Sequence, residues 1–229
     1  MTNHARKNLG FESKGKLLKS AILMVLSIFI MSFGVAISTR AGLGTSPISS
    51  LPYVLSLGIP LTYGTFTFIM NAFLILFQFL LLKKDLSVML ILQIPVLIIF
   101  SFFSDWTLSM VQFIVPSNYL EQWVFTILST IILAFGISIE MNAKFATMPG
   151  EGMVFALSRR FKTEFGRMKV VFDVTLVLSA VIASVLMFGG LVGVREGTIF
   201  AALTVGHIVR FLMKLMSNNE KTVKTQVEI

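Results

Sequence analysis

No cysteine occurs in the 229 residues. Disulfides, thiolate metal sites and cysteine nucleophiles are therefore excluded, while the redox compartment stays open. Charge is the next scarcity: 13% of the residues are Asp, Glu, Lys or Arg, about half of the ~25% usual in soluble domains. A soluble protein of this size could bury a good core but could not cover its surface with so few charges. With 55% hydrophobic residues and a mean hydropathy of +0.88, the chain reads as an integral membrane protein. Ordinary soluble enzymes and disordered chains are excluded. Histidine is scarce too, with only His4 and His207, so no serine triad is supported and no nucleophile–base pair stands out. There is no HExxH, no carboxylate cluster at metal-ligand spacing and no phosphate-loop signature. The sequence thus offers no catalytic residue, metal site or cofactor site.

The formal net charge is +8, and its distribution matters more than its sum. Arg6, Lys7, Lys14, Lys16 and Lys19 precede the first apolar run, and Lys214, Lys221 and Lys224 follow the last. That is the pattern of cytoplasmic flanks facing anionic lipid, and it requires no nucleic acid. The run Ser20–Thr39 is too long for the core of a cleaved signal.

A helix crosses the bilayer core with about 20 apolar residues. Spans are predicted at Ser20–Thr39, Leu61–Leu82, Leu86–Ser104, Gln122–Ile139, Thr163–Leu186 and Glu196–Met213. Two shorter apolar segments, Pro47–Leu57 and Pro149–Leu157, follow polar breaks. Trp106–Leu120 reads as an interfacial connector with aromatic anchors. The 22 Phe and 13 Met suit lipid-facing and inter-helix packing. The expected fold class is an all-α polytopic membrane protein of about six spans plus two short broken or re-entrant helices.

A shift of 102 positions aligns the two halves without a gap. Leu26, Ser27, Ile30, Phe33 and Gly34 fall on Leu128, Ser129, Ile132, Phe135 and Gly136. Thr45, Pro47 and Gly64 fall on Thr147, Pro149 and Gly166, and Asn71 falls on Asp173. A duplication follows from this constant offset, dividing the chain into a basic segment 1–19, repeats 20–115 and 116–213, and a polar tail 214–229. Charge selects the topology. With three crossings per repeat and the N-terminus inside, only Arg40 and Arg195 of the 19 Lys and Arg lie outside. With four, Lys83, Lys84 and Lys144 join them. Three crossings in each of two inverted repeats, with both termini cytoplasmic, is the expectation.

Chemistry is expected at the two breaks. Arg40–Pro47 combines Gly42 and Gly44 with Thr45, Ser46 and a Pro suited to a first helical turn, and Thr45 or Ser46 can cap the helix that follows. Thr147-Met148-Pro149-Gly150-Glu151 repeats the form. Helix starts inside a membrane need their N–H groups met by side chains, water or a ligand, and they favour negative charge. Thr45, Ser46, Ser49, Thr147, Glu151 and Asn71 are the candidate substrate-binding residues for a small anionic solute. The bland alternative is a pair of capped interfacial turns. Asn71 and Asp173 each lie about ten residues into a long span, roughly 15 Å deep at about 1.5 Å per residue. Asp173 is a candidate for proton or cation coupling, or the partner of Lys169 one helical turn away. His207 is the second coupling candidate, or a packed neutral histidine. Arg40, Arg195, Glu140 and Glu151 either select a charged solute or mark the interfaces.

The segment Gly42–Ser56, with the later Val194-Arg195-Glu196-Gly197-Thr198-Ile199 followed by Gly206 and Arg210, resembles the YczE/YitT-like bacterial integral membrane proteins. The resemblance runs from about Ser20 to Met213. It implies a polytopic protein of the bacterial plasma membrane, for which transport is commonly supposed. Some members of the group are linked to production of secreted peptides or antibiotics. The resemblance carries no catalytic residue onto this chain. Two functions follow from the residues: a small transporter or permease rocking one repeat against the other, or a membrane scaffold or regulator that binds a protein or lipid without a solute path.

Overall fold

The computed structural model describes residues 14–82 and 88–227. The flanking Arg6 and Lys7, and the Lys83–Lys84 pair used for topology, lie outside the described residues. Among the described residues there are eight helices and no strand. They are α1 Lys14–Ala41, α2 Pro47–Gly58, α3 Tyr63–Leu82, α4 Val88–Met110, α5 Tyr119–Ala143, α6 Pro149–Phe161, α7 Phe165–Phe188 and α8 Glu196–Val227. All but α2 and α6 contain a stretch long and apolar enough to cross a bilayer. In hydrocarbon, backbone N–H and C=O groups must pair within the segment, so uncharged runs of this length settle as helices.

Local chemistry fixes where the helices break. Gly42 and Gly44 have φ of +81° and +90°, in the left-handed region that glycine enters without steric cost. The position 102 residues after Gly42 is Lys144, which also takes a left-handed φ of 51°. Each break is followed by a proline in the first turn of a short helix, where the missing N–H costs no intrahelical bond. Two boundaries differ from the sequence expectation. The third span continues through Asp105 and Trp106 to Met110, into the expected connector Trp106–Leu120, and Ser104 and Thr107 satisfy their hydroxyls there on the backbone carbonyls of Phe100 and Phe103. The last helix runs on past Met213 to Val227, so the polar tail continues it.

α1 and α5 form the central crossing, and they are antiparallel. A Cβ on Gly34 would lie 2.8 Å from the Leu133 backbone N and 3.1 Å from Ser129 O. A Cβ on Gly136 would lie 2.9 Å from Met31 N and 3.2 Å from Ser27 O. These are the same contacts exchanged by 102 positions. α5 and α8 run parallel, with Trp123 against Phe200 near one end and Asn142 against Met216 near the other. The start of α1 and the membrane-crossing part of α8 at Met216 therefore end on one face.

Packing obeys the same exchange. α1 lies on α4 as α5 lies on α8, α2 on α7 as α6 on α3, and α2 on α3 as α6 on α7. The starts of the short helices meet, where a Cβ on Gly150 would collide with the Ile48 side chain. One pairing is unequal: α4 packs along α3, whereas α8 has no comparable packing on α7.

Candidate functional site

The first break is stapled to the start of α8. Gly197 N–H donates to Leu43 O at 2.8 Å, and Arg195 Nη1 donates to Gly42 O at 2.9 Å. A Cβ on Gly44 would strike Thr198 Oγ1 and lie 2.8 Å from Arg195 N, so this close approach also requires glycine. Thr45, Ser46 and Ser49 are all buried. The expected side-chain cap does not form. Ser46 is the N-cap residue of α2, but its Oγ donates to Ser49 Oγ at 2.9 Å rather than accepting a backbone N–H. Thr45 Oγ1 is enclosed without a partner.

α3 brings three polar side chains to this region at one-turn intervals: Tyr63, Thr67 and Asn71, all buried. The Tyr63 hydroxyl faces the Ser49 and Thr67 hydroxyls without completing a hydrogen bond to either. Asn71 donates Nδ2–H to Thr67 O at 2.8 Å, leaving its Oδ1 unpartnered. Tyr53 stands edge-on to Tyr63 with ring centroids 6.4 Å apart. Tyr53 also feels the positive charge of Arg40, whose Nε is enclosed and unpartnered. The first break therefore opens on neutral hydroxyls and an amide with one guanidinium at the edge. Buried polar atoms usually find partners, so this concentration of unmet ones in a tightly packed interior is a feature of the site.

The second break is built differently. Glu140, 4% exposed near the end of α5, accepts the Met148 N–H on Oε1 at 2.8 Å, and its Oε2 has no partner. This buried carboxylate meets the positive end of α6, where negative charge is favoured. Glu151 follows in the first turn of α6, also with an enclosed, unpartnered Oε2. Glu140 and Glu151 interact electrostatically, and Glu151 in turn feels Lys169 and Asp173 of α7. A reciprocal amide pair, Gln78 with Gln93 at 3.1 Å in both directions, supports the break from α3 and α4. Gln78 also donates to Pro149 O at 3.0 Å.

The remaining candidates divide. Thr147 is exposed, although its counterpart Thr45 is wholly buried. Asp173 pairs with Lys169 at 2.7 Å, as their spacing allows. His207 is exposed on α8 and bonds only locally, through Nδ1 to Leu203 O at 2.7 Å. Sequence reasoning missed Tyr63, Thr67, Gln78 and Gln93 as members of the site. A polar residue every fourth position in an otherwise uncharged run was the available signal for the first two.

Six helices of spanning length, with two short helices that start at buried polar breaks, define a polytopic all-helical membrane protein. Within that class the chain belongs to a family of unknown function (DUF6198), which it matches over residues 18–214. It is 22% identical over 201 residues to "Uncharacterized protein YyaS" of Bacillus subtilis (strain 168), covering 85% of this chain and 92% of that one. It is also 22% identical over 203 residues to an "Uncharacterized protein" of Haemophilus influenzae (strain ATCC 51907 / DSM 11121 / KW20 / Rd), covering 87% and 85%. No solved structure matches the chain significantly.

Proposed function

We propose that the protein is a small secondary transporter of the bacterial plasma membrane, with both chain ends cytoplasmic, that carries a small anionic solute. The observation behind it is the meeting of two polar, broken helix starts, at Ile48 and Gly150, in the middle of an apolar bundle. Discontinuous helices of two inverted repeats build such central sites, with their positive ends toward anionic groups. We read the exchange of contacts at 102 positions as an inverted duplication, and the two halves as the bodies that rock. The bacterial relatives and the YczE/YitT-like segment are compatible with this reading.

The two breaks divide the labour. The start of α6 already faces the protein's own carboxylate, Glu140, so the anionic group of the solute belongs at the first break. Thr45, Ser46, Ser49, Tyr63, Thr67 and Asn71 supply hydroxyl and amide contacts there, and Arg40 supplies the charge. Thr147 and Glu151 belong to the second break, and Asp173 is a coupling candidate alongside them.

Purified protein in proteoliposomes, offered a panel of small inorganic and carboxylate anions, tests this. Uptake of one class is expected, and Arg40→Gln is expected to abolish it while the protein still folds. Uptake by none of the panel, with one stoichiometric partner co-purifying from cells, would sink the transporter reading. That result would favour the scaffold, which draws on a different observation: α8 leaves Ile199, Leu203 and Phe211 at least 60% exposed.

A further inference from the structure

We propose that Glu140 and Glu151 form a proton-binding site, a carboxyl pair that holds protons while the second break is closed and releases them when water enters it. For its purpose the site rests on the transporter reading above, but it can be tested without any transport.

Three observations lead here. First, Glu140 is only 4% exposed, and one of its oxygens has no partner although the other is held by the Met148 N–H at 2.8 Å. Glu151, three residues further along the chain from that N–H, turns its own unpartnered oxygen into the protein interior. An ionised carboxylate only accepts hydrogen bonds, whereas a protonated one gains a donor. A proton on either carboxyl supplies a donor where both enclosed oxygens can only accept.

Second, carboxyls outnumber ammonium groups among the residues that act on one another here. The group of Glu140, Glu151, Asp173 and Lys169 holds three carboxyls and one ammonium, which is three negative charges against one positive. Lys169 is committed to Asp173 at 2.7 Å. Glu151 is the charged group acting on Glu140, and Lys169 and Asp173 are those acting on Glu151. Two negative charges with enclosed, unpartnered oxygens are costly, and carboxyls that act on one another resist ionising together. Binding protons removes that cost without moving a backbone atom.

Third, the ligand is identified by what the site can offer. Among the described residues no three His, Cys, Asp or Glu side chains converge as a metal ion requires, whereas a proton needs only two oxygens. α5 runs antiparallel to α1, so the second break lies toward the face that holds the start of α1, and Thr147 beside it is exposed. The residues 102 positions earlier are Ser38 and Ser49, which hold no titratable proton in the working range. The first break thus has no equivalent site.

The test is an infrared difference spectrum of the purified full-length protein, titrated in pH, following the C=O stretch of protonated buried carboxyls. A titrating band is expected. It should shift when the protein carries isotope-labelled glutamate and stay in place with labelled aspartate. Glu140→Gln and Glu151→Gln should each cause its loss or a clear displacement of its midpoint. The labelled wild-type protein still separates a glutamate band from an aspartate band if a variant fails to fold. Three results would overturn the proposal: no such band at any pH, a band that follows aspartate, or a band eliminated by sodium at constant pH. A protein that shows the glutamate band yet moves no solute would keep the proton site and lose the transporter reading.

Discussion

The N-terminal half, α1–α4, and the C-terminal half, α5–α8, share a path through the membrane but not a chemistry. At corresponding positions the first half has Ser38, Ser49, Thr67 and Asn71, and the second has Glu140, Glu151, Lys169 and Asp173. The first break is lined by neutral donors and acceptors with Arg40 and Arg195 at its edge, and the second by a cluster of carboxyls with Lys169. Packing differs in the same direction. α4 is covered by both α1 and α3, whereas α8 lies on α5 with a slight touch to α2 and leaves most of its surface free. The neutral half is the better braced, and the charged half is the looser.

The largest expected effect tests what the halves have in common. Gly34→Leu and Gly136→Leu each push a side chain into the backbone of the facing helix at the α1–α5 crossing, and backbone atoms there have nowhere to go. Overpacking a core costs about 1–3 kcal/mol even where side chains can yield, and small residues are what allow membrane helices this close. Both variants should lose their monodisperse peak in detergent size-exclusion chromatography. Survival of one and loss of the other would break the equivalence of the halves at their centre.

The next effect separates them. Glu140→Ala removes the acceptor of the Met148 N–H, leaving a buried donor unmet at a cost of about 1–3 kcal/mol. Its counterpart Ser38 only donates to Gly44 O, at 3.1 Å, a bond whose loss costs about 0.5–1.5 kcal/mol. The apparent melting temperature in detergent should fall further for Glu140→Ala than for Ser38→Ala. The reverse order would mean that the carboxylate does not hold the second break.

A third pair is Asp105 and His207, also 102 positions apart. Asp105 Oδ1 accepts the Gly64 N–H at 2.6 Å and ties α4 to the first turn of α3. Asp105→Ala should cost on the order of 1 kcal/mol, while His207→Ala, on an exposed face with a local bond only, should leave the melting temperature unchanged. A destabilised His207→Ala protein would reveal a surface that covers α8.

Much of this arrangement was legible in the sequence. The prolines at 47 and 149 marked the starts of the short helices to the residue, and the apolar runs located the six membrane-length stretches to within about six positions. The Lys169–Asp173 pair could be read as one of two alternatives from spacing alone. Tertiary facts were out of reach. Depth along a span is not burial, so His207 lies well inside its span yet faces outward. Equal repeat positions are not equal environments, so Thr45 is sealed and Thr147 exposed. The hold of Glu140 on Met148 crosses a helix break, where helical periodicity ceases to predict which groups meet.

The smallest effect bears on Asp173, the carboxyl that sequence alone placed deep in a span. Its pairing with Lys169 is at four residues along one helix, with the cation on the N-terminal side, the less favourable order relative to the helix dipole. Side-chain exposures of 32% for Lys169 and 14% for Asp173 give the pair some shielding, but its expected contribution remains about 0.3–0.5 kcal/mol. A double-mutant cycle with Lys169→Met and Asp173→Asn should therefore return a coupling of a few tenths of a kcal/mol in the melting of the purified protein. If Asp173 serves only this pair, Asp173→Asn keeps a pH-dependent transport whose midpoint moves to lower pH, because a negative charge acting on Glu151 is gone and Lys169 is freed, and the charged half works through Glu140 and Glu151. If Asp173→Asn abolishes the pH dependence while the cycle stays small, the proton passes through Asp173. The inequality between the halves would then be centred on α7 instead of the second break.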